Sequence, residues 1–123
     1  APCTGTGTWR RRPDTKWKLT PELLAQRMGE QAAILAEGQR YLKPGGTLVY
    51  ITCSILPEEN DEQIAGFLAA NPVFATVMPD DMWAAAFGTA LPPGLATARG
   101  GIALTPRLTS TDGFYFNALR RVE

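Results

Sequence analysis

The stretch Lys43-Pro44-Gly45-Gly46-Thr47-Leu48-Val49-Tyr50-Ile51-Thr52-Cys53-Ser54 decides the class of the fold. Pro-Gly-Gly cannot continue a helix, and the run that follows is β-branched and aromatic with little polar interruption. Over Thr47–Cys53 it predicts a strand covered on both faces, as in a helix-flanked α/β sheet. Upstream, Thr20-Pro21-Glu22 starts a helix, with Thr as N-cap, Pro at the first helical position and an acid in the first turn. Leu24, Met28, Ala32, Leu35 and Leu42 then form one apolar stripe, and Lys43 sets a positive charge at the helix C-terminus. Downstream, Ser54 to Pro57 leave the strand, and Glu58-Glu59-Asn60-Asp61-Glu62 open a second helix reaching Ala70. Those acids meet the favourable end of the helix dipole, which explains the charge run structurally.

The flanks are read with the same rules. Residues 1–19 form a loop in which Gly5 and Gly7 allow tight turns. Asn71-Pro72 stops the second helix, and Val73–Val77 is a short strand. Between Pro79 and Gly101 the pattern is poor, with Trp83 and Phe87 marking a short amphipathic turn. Ile102–Leu104 is a brief extension. Gly113 leads into a closing strand, Phe114–Leu119, with Arg120 and Arg121 as a solvated end. A helix between strands requires a crossover, which places the chain in the α/β class. Ligands of such sheets bind at the carboxyl ends of the strands, where Cys53 sits.

The 123 residues suit one small domain or a piece of one, and 45% hydrophobic content is enough for a packed core. The start at Ala1-Pro2-Cys3, without Met, reads as the interior of a longer chain. Twelve basic and twelve acidic residues cancel, so net charge does not identify a partner. Their distribution is more informative. Arg10, Arg11, Arg12, Lys16 and Lys18 crowd the first eighteen positions, opposed only by Asp14. A basic cluster is usually a solvated face, but Trp9 and Trp17 interleave with this one as aromatics do in nucleic-acid grooves. No apolar run approaches the roughly 20 residues of a spanning helix, and no signal peptide is visible, so no membrane is expected. Two cysteines are too few for a disulfide framework, which makes a reducing cytoplasm the default. The absence of histidine removes a Ser-His-Asp triad, a Cys-His pair and the usual zinc sites; no metal is expected.

Taken singly, the chemical candidates are weak. Cysteine is among the most buried residue types, and most lone cysteines at strand ends are inert packing. Gly5-Thr6-Gly7 has no preceding strand, no Rossmann spacing and no Walker lysine, so a phosphate loop is rejected.

The combination is stronger. Ala1-Pro2-Cys3-Thr4-Gly5-Thr6-Gly7-Thr8, followed by Arg10-Arg11-Arg12-Pro13-Asp14, resembles the Pro-Cys motif of the NOL1/NOP2/Sun family of RNA cytosine-5 methyltransferases. Leu42-Lys43-Pro44-Gly45-Gly46, then Tyr50-Ile51-Thr52-Cys53-Ser54 and Glu58-Glu59-Asn60, resembles its Thr-Cys motif. Thr111-Asp112-Gly113-Phe114-Tyr115-Phe116 resembles its closing strand. The resemblance implies the C-terminal portion of a Rossmann-like class I methyltransferase domain over 1–123, with the last three sheet strands and two main helices. The half that binds S-adenosylmethionine, with its glycine-rich loop and acid, is absent from these residues, so no cofactor-binding residue is assigned.

The implied activity is methyl transfer from S-adenosylmethionine to C5 of cytosine in RNA, ribosomal RNA first among substrates. Cys53 is the nucleophile that adds to C6, and Cys3 assists release. Pro2 and Thr52 shape the base pocket, while Arg10, Arg11, Arg12, Lys16 and Lys18 contact phosphates. Covalent addition divides one hard step into easier ones. The 123 residues alone are expected to be inactive. The strand Thr47–Cys53 is expected to expose an edge, leading to self-association or to a rearrangement of residues 1–18 over it. Two rivals differ in class: a catalytically silent RNA-binding or ribosome-assembly module of the same fold, and a DNA cytosine-5 methyltransferase attacking with its Pro-Cys cysteine. A redox pair of Cys3 and Cys53 is a third reading, with nothing positive in the sequence to support it.

Overall fold

A computed structural model describes residues 1–123. Two short 3-10 turns, Thr6–Thr8 and Pro13–Lys18, interrupt the N-terminal segment expected to be loop throughout. Helix α1 spans Pro21–Gly38 and starts as anticipated, with the Thr20 hydroxyl accepting from the Leu23 amide at 3.1 Å. A 3-10 turn, Gln39–Tyr41, ends it before Leu42. Strand β1 (Thr47–Thr52) follows, then a 3-10 turn (Pro57–Glu59), helix α2 (Asp61–Ala70) and strand β2 (Phe74–Thr76). The amphipathic turn around Trp83 is a nine-residue helix, α3 (Pro79–Phe87), capped by Gly88 at φ 69°. Strand β3 (Ile102–Leu104), a single turn α4 (Pro106–Thr109) and strand β4 (Phe114–Arg121) complete the chain.

Strand β4 organises the sheet. It pairs antiparallel with β1 from Thr47↔Arg120 to Thr52↔Tyr115. Its other edge carries β3 at Phe114–Phe116 and β2 at Leu119–Arg121, laid end to end. Strands β1 and β2 therefore run in the same direction with β4 between them, and α2 is their crossover. The α/β class stands, with four strands rather than three. The closing strand runs on through Arg120 and Arg121, which both pair in the ladder; Arg120 stays exposed, as expected, while Arg121 is half-buried and its Nη1 donates to the Leu42 carbonyl at 2.6 Å.

The core lies between one face of the sheet and helices α1 and α2. It is built from Leu35, Tyr50, Ile64, Phe67, Phe74, Tyr115 and Leu119. Phe67 and Phe74 meet edge to face at 5.1 Å between centroids, a favoured geometry for aromatic pairs. Two expectations about this core need correction. Strand β1 is covered on one face only, because Val49 and Ile51 project away from the helices. On α1, Ala32 is exposed while Gln31 is fully buried. The stripe rule misses this because Gln31 is held inside by the two bonds of its Nε2, to the Pro2 carbonyl and to Glu59, and not by apolar packing. The charge run after β1 also divides: α2 begins at Asp61, and Glu59 turns inward. No helix is long and apolar enough to cross a membrane.

Candidate two-cysteine site

The sheet places Cys53 just past the last residue of β1, where the chain leaves the ladder. A set of side-chain bonds shapes that exit. The Thr52 hydroxyl donates to Asn60 Oδ1 at 2.6 Å, and Asn60 Nδ2 donates to the Ser54 carbonyl at 2.8 Å. The Tyr50 hydroxyl donates to the Glu59 carbonyl at 2.6 Å. Each buried polar group here has a partner, which holds the turn in one conformation.

The N-terminal segment is stitched onto this exit. The Ala1 ammonium donates to the Ile51 carbonyl at 3.0 Å, and the Gly7 amide to the Cys53 carbonyl at 2.8 Å. Ala1 thus meets the free edge of β1, and Gly7 meets the chain just beyond it. Gly7 is required by contact: a Cβ there would lie 2.1 Å from the Gly113 carbonyl oxygen. The Gly113 amide in turn donates to the Gly7 carbonyl at 2.7 Å.

These contacts bring Cys3 Sγ to 2.9 Å from Cys53 Sγ, both half-buried and both free thiols. Burial first, then the hydrogen bond and charge shared with Cys3, pushes the Cys53 thiol up to about 11; the Glu59 charge adds to the rise. Cys53 is therefore held as a neutral thiol at pH 7 and needs a base before it can attack. Burial and the Glu59 and Cys3 charges likewise raise the Tyr50 hydroxyl far above its ordinary range.

The other residues singled out in the sequence divide into two groups. Pro2 is exposed next to Cys3, with its carbonyl accepting from Gln31 Nε2 at 2.8 Å, whereas the Thr52 side chain is buried against Asn60. Arg10 and Arg11 each donate through Nε to one oxygen of Asp112 at 2.6 Å. Those two bonds hold the Asp112 carboxyl below its usual range, the bond from Arg10 contributing most. Both guanidinium groups nonetheless keep much of their surface in solvent. Arg12 is exposed, Lys18 reaches Asp14 at 3.7 Å, and Lys16 sits 5.4 Å from the centre of the Trp17 ring, which is 80% exposed. Sequence reasoning missed Gln31, Glu59 and Asp112. Glu59 and Asp112 stood within the quoted motifs, but nothing in their spacing distinguished a buried carboxylate from a solvated one.

None of the four cavities in the chain is lined by Cys3 or Cys53. The cavity nearest the site, about 180 Å³, opens between Ser54, Asp61, Leu104 and Phe114. The acid beside the thiols, Glu59, is fully buried with both oxygens taken by Thr4, Gln31 and Ser54, so it offers no free acceptor to the ribose of S-adenosylmethionine.

Comparison with known proteins gives a consistent picture. The family of 16S rRNA methyltransferase RsmB/F matches residues 1–120. Ribosomal RNA small subunit methyltransferase B of Klebsiella pneumoniae (strain 342) is 56% identical over 72 residues, which cover 58% of this chain and 17% of that protein. The crystal structure of PH0851 superposes on 98% of this chain with a TM-score of 0.83 and 32% identity, covering 25% of its own length. NSun6 from Pyrococcus horikoshii with SFG shares the fold at a TM-score of 0.75 and 23% identity, over 100% of this chain and 29% of its own. The chain thus spans a minor part of the relatives it matches.

Proposed function

Since this chain belongs to the 16S rRNA methyltransferase RsmB/F family, within the NOL1/NOP2/Sun group, we propose that its two thiols form the covalent centre of an RNA cytosine-5 methyltransferase. The observation that carries the reading is the pair Cys3 and Cys53, 2.9 Å apart at the carboxyl end of β1. S-adenosylmethionine supplies the methyl group in this reaction, held by residues other than these; residues 1–123 are the C-terminal part of the domain.

The steps proposed for this chain's own residues are the following. Cys53, once deprotonated, adds through sulfur to C6 of the cytosine, and the C5–C6 π pair shifts toward C5. This gives C5 the enamine character it needs to take up a methyl group. Loss of the C5 proton then restores the C5–C6 double bond as the Cys53–C6 bond breaks. Cys3 lies in contact with the departing sulfur and assists that release. Arg12, Lys16 and Lys18, with the solvent-facing nitrogens of Arg10 and Arg11, meet the phosphates, and affinity falls as salt rises. Pro2 borders the base, and Thr52 holds the turn that presents Cys53. The substrate is small-subunit ribosomal RNA, presented unpaired or flipped from its stack. The edge of β1 left uncovered beyond Ala1 is a place for a second copy of the isolated chain to pair.

The test uses the longest natural polypeptide carrying these residues, with 16S rRNA and S-adenosylmethionine, run on a denaturing gel. Cys3→Ala is expected to accumulate a covalent protein–RNA band, and Cys53→Ala to show none. The reverse pattern moves the nucleophile to Cys3. Bands from neither variant, with no methyl transfer by the parent, favour a silent RNA-binding module.

A further inference from the structure

We infer that Glu59 is the positioning residue of the two-cysteine site, one carboxylate that clasps the residue after each cysteine and so sets the distance between the thiols. The inference rests on the reading of Cys3 and Cys53 given above and assigns a role to a group outside that reading. Glu59 Oε1 accepts from the Thr4 amide at 2.8 Å and from Gln31 Nε2 at 3.1 Å. Glu59 Oε2 accepts from the Thr4 hydroxyl at 2.7 Å and from the Ser54 hydroxyl. Thr4 follows Cys3 and Ser54 follows Cys53, so each cysteine Cα lies one peptide link, about 3.8 Å, from a residue held by the same carboxylate.

The protons in this cluster are all accounted for. Ser54 has a single hydroxyl proton, and it faces Glu59. The Ser54 oxygen must then accept from the Thr6 hydroxyl at 3.1 Å, as it does from the Leu56 amide at 3.0 Å. Thr6 Oγ1 accepts from the Ile55 amide at 3.0 Å. The network therefore runs in one direction, from the backbone amides through Thr6 and Ser54 to Glu59, and a carboxylate with four acceptor positions completes it. Gln31 adds a third strut, since its Nε2 also donates to the Pro2 carbonyl, on the other side of Cys3.

Stability alone is a poor account of this arrangement. Glu59 is 0% exposed, with no cation among its partners. A buried carboxylate met only by neutral donors costs more than an apolar side chain of the same volume. What the carboxylate supplies, and an apolar group cannot, is simultaneous directional contact with two segments fifty residues apart. Aspartate is one methylene too short to reach both. Glutamine can serve in part, because the Thr4 hydroxyl can rotate to accept from its amide, and Ser54 can accept as well if its own proton turns to Thr6 and that bond reverses.

The experiment uses the longest natural polypeptide carrying these residues and compares Glu59→Ala, Glu59→Gln and Thr4→Val. The first readout is the rate at which a short bis-alkylating bimane bridges Cys3 and Cys53, which reports thiol placement without RNA or methyl donor. The second is kcat against KM for 16S rRNA methylation. Glu59→Ala is expected to slow bridging about 10-fold and to lower kcat about 100-fold with KM held, the size expected for a misplacement near 1 Å. Glu59→Gln is expected to recover most of both, and Thr4→Val to fall between. A folded Glu59→Ala protein that bridges at the parent rate overturns the inference. If Glu59→Ala does not fold, Thr4→Val bridging at the parent rate does the same. Slowed bridging in a parent that methylates nothing leaves Glu59 as the clasp and removes the methyltransferase reading instead.

Discussion

Two pairs of neighbours on β1 have opposite fates. Tyr50 and Thr52 are 3% and 2% exposed, one in the core and one in the turn that presents Cys53, whereas Val49 and Ile51 are 52% and 50% exposed. All four were read from one apolar run. Tyr50 packs in the core with residues of two helices and donates to the Glu59 carbonyl, and Thr52 donates to Asn60, so both shape and polarity are specified there. The outer residues align with Ala118 and Phe116 of β4 and have no helix above them. The difference teaches that continuous hydrophobicity marks a strand able to be covered twice, while the chain in hand supplies one cover. Fold and site share the inner side, and the outer side is free for other contacts.

The most damaging change on the inner side is Gly7→Ala. Its Cβ meets backbone oxygens of Gly113 and Cys53, which cannot move aside singly. A loss of about 4 kcal/mol or more is expected in a denaturant titration. A loss below about 1 kcal/mol would show that the N-terminal segment is not docked as described. Ile64→Ala, at a fully buried core position, should cost about 3 kcal/mol by the same measurement. Tyr50→Phe keeps the ring and removes only the donor to the Glu59 carbonyl, for an expected loss of about 1–2 kcal/mol.

The thiol pair sharpens the comparison through pH. Because the folded Cys53 is raised to about 11, the neutral form is the one the fold favours. Its contribution is complete below the unfolded thiol value, about 8.5, and is lost as pH rises through the folded one. Iodoacetamide should accordingly label Cys53 at a rate still climbing above pH 9. Cys3→Ala removes the shared hydrogen bond and charge and should lower that midpoint, read by mass spectrometry of the Cys53 peptide.

The smallest effect belongs to the outer face. Val49→Thr with Ile51→Thr should change stability by less than about 0.5 kcal/mol per site. Sedimentation of the isolated chain should shift toward monomer if β1 is where copies meet. A cost comparable to that of Ile64→Ala would erase the distinction between the two faces.

The sequence by itself determined much of this protein. The Thr20-Pro21 cap, the Pro-Gly-Gly break, the β1 run and the Asp-Gly entry into β4 all appear where local rules place them, because caps, breakers and β-branched runs act within a few residues. The two cysteines were also legible, since their motifs surround them in the chain. The faces of β1, the burial of Gln31 in place of Ala32 and the inward turn of Glu59 were decided only by the tertiary structure. Each depends on what lies across space: Pro2 and Thr4 above Gln31 and Glu59, Asp112 beside Arg10 and Arg11. A polar residue carries no periodic signal of burial, because it is buried by its partners and not by its own hydrophobicity.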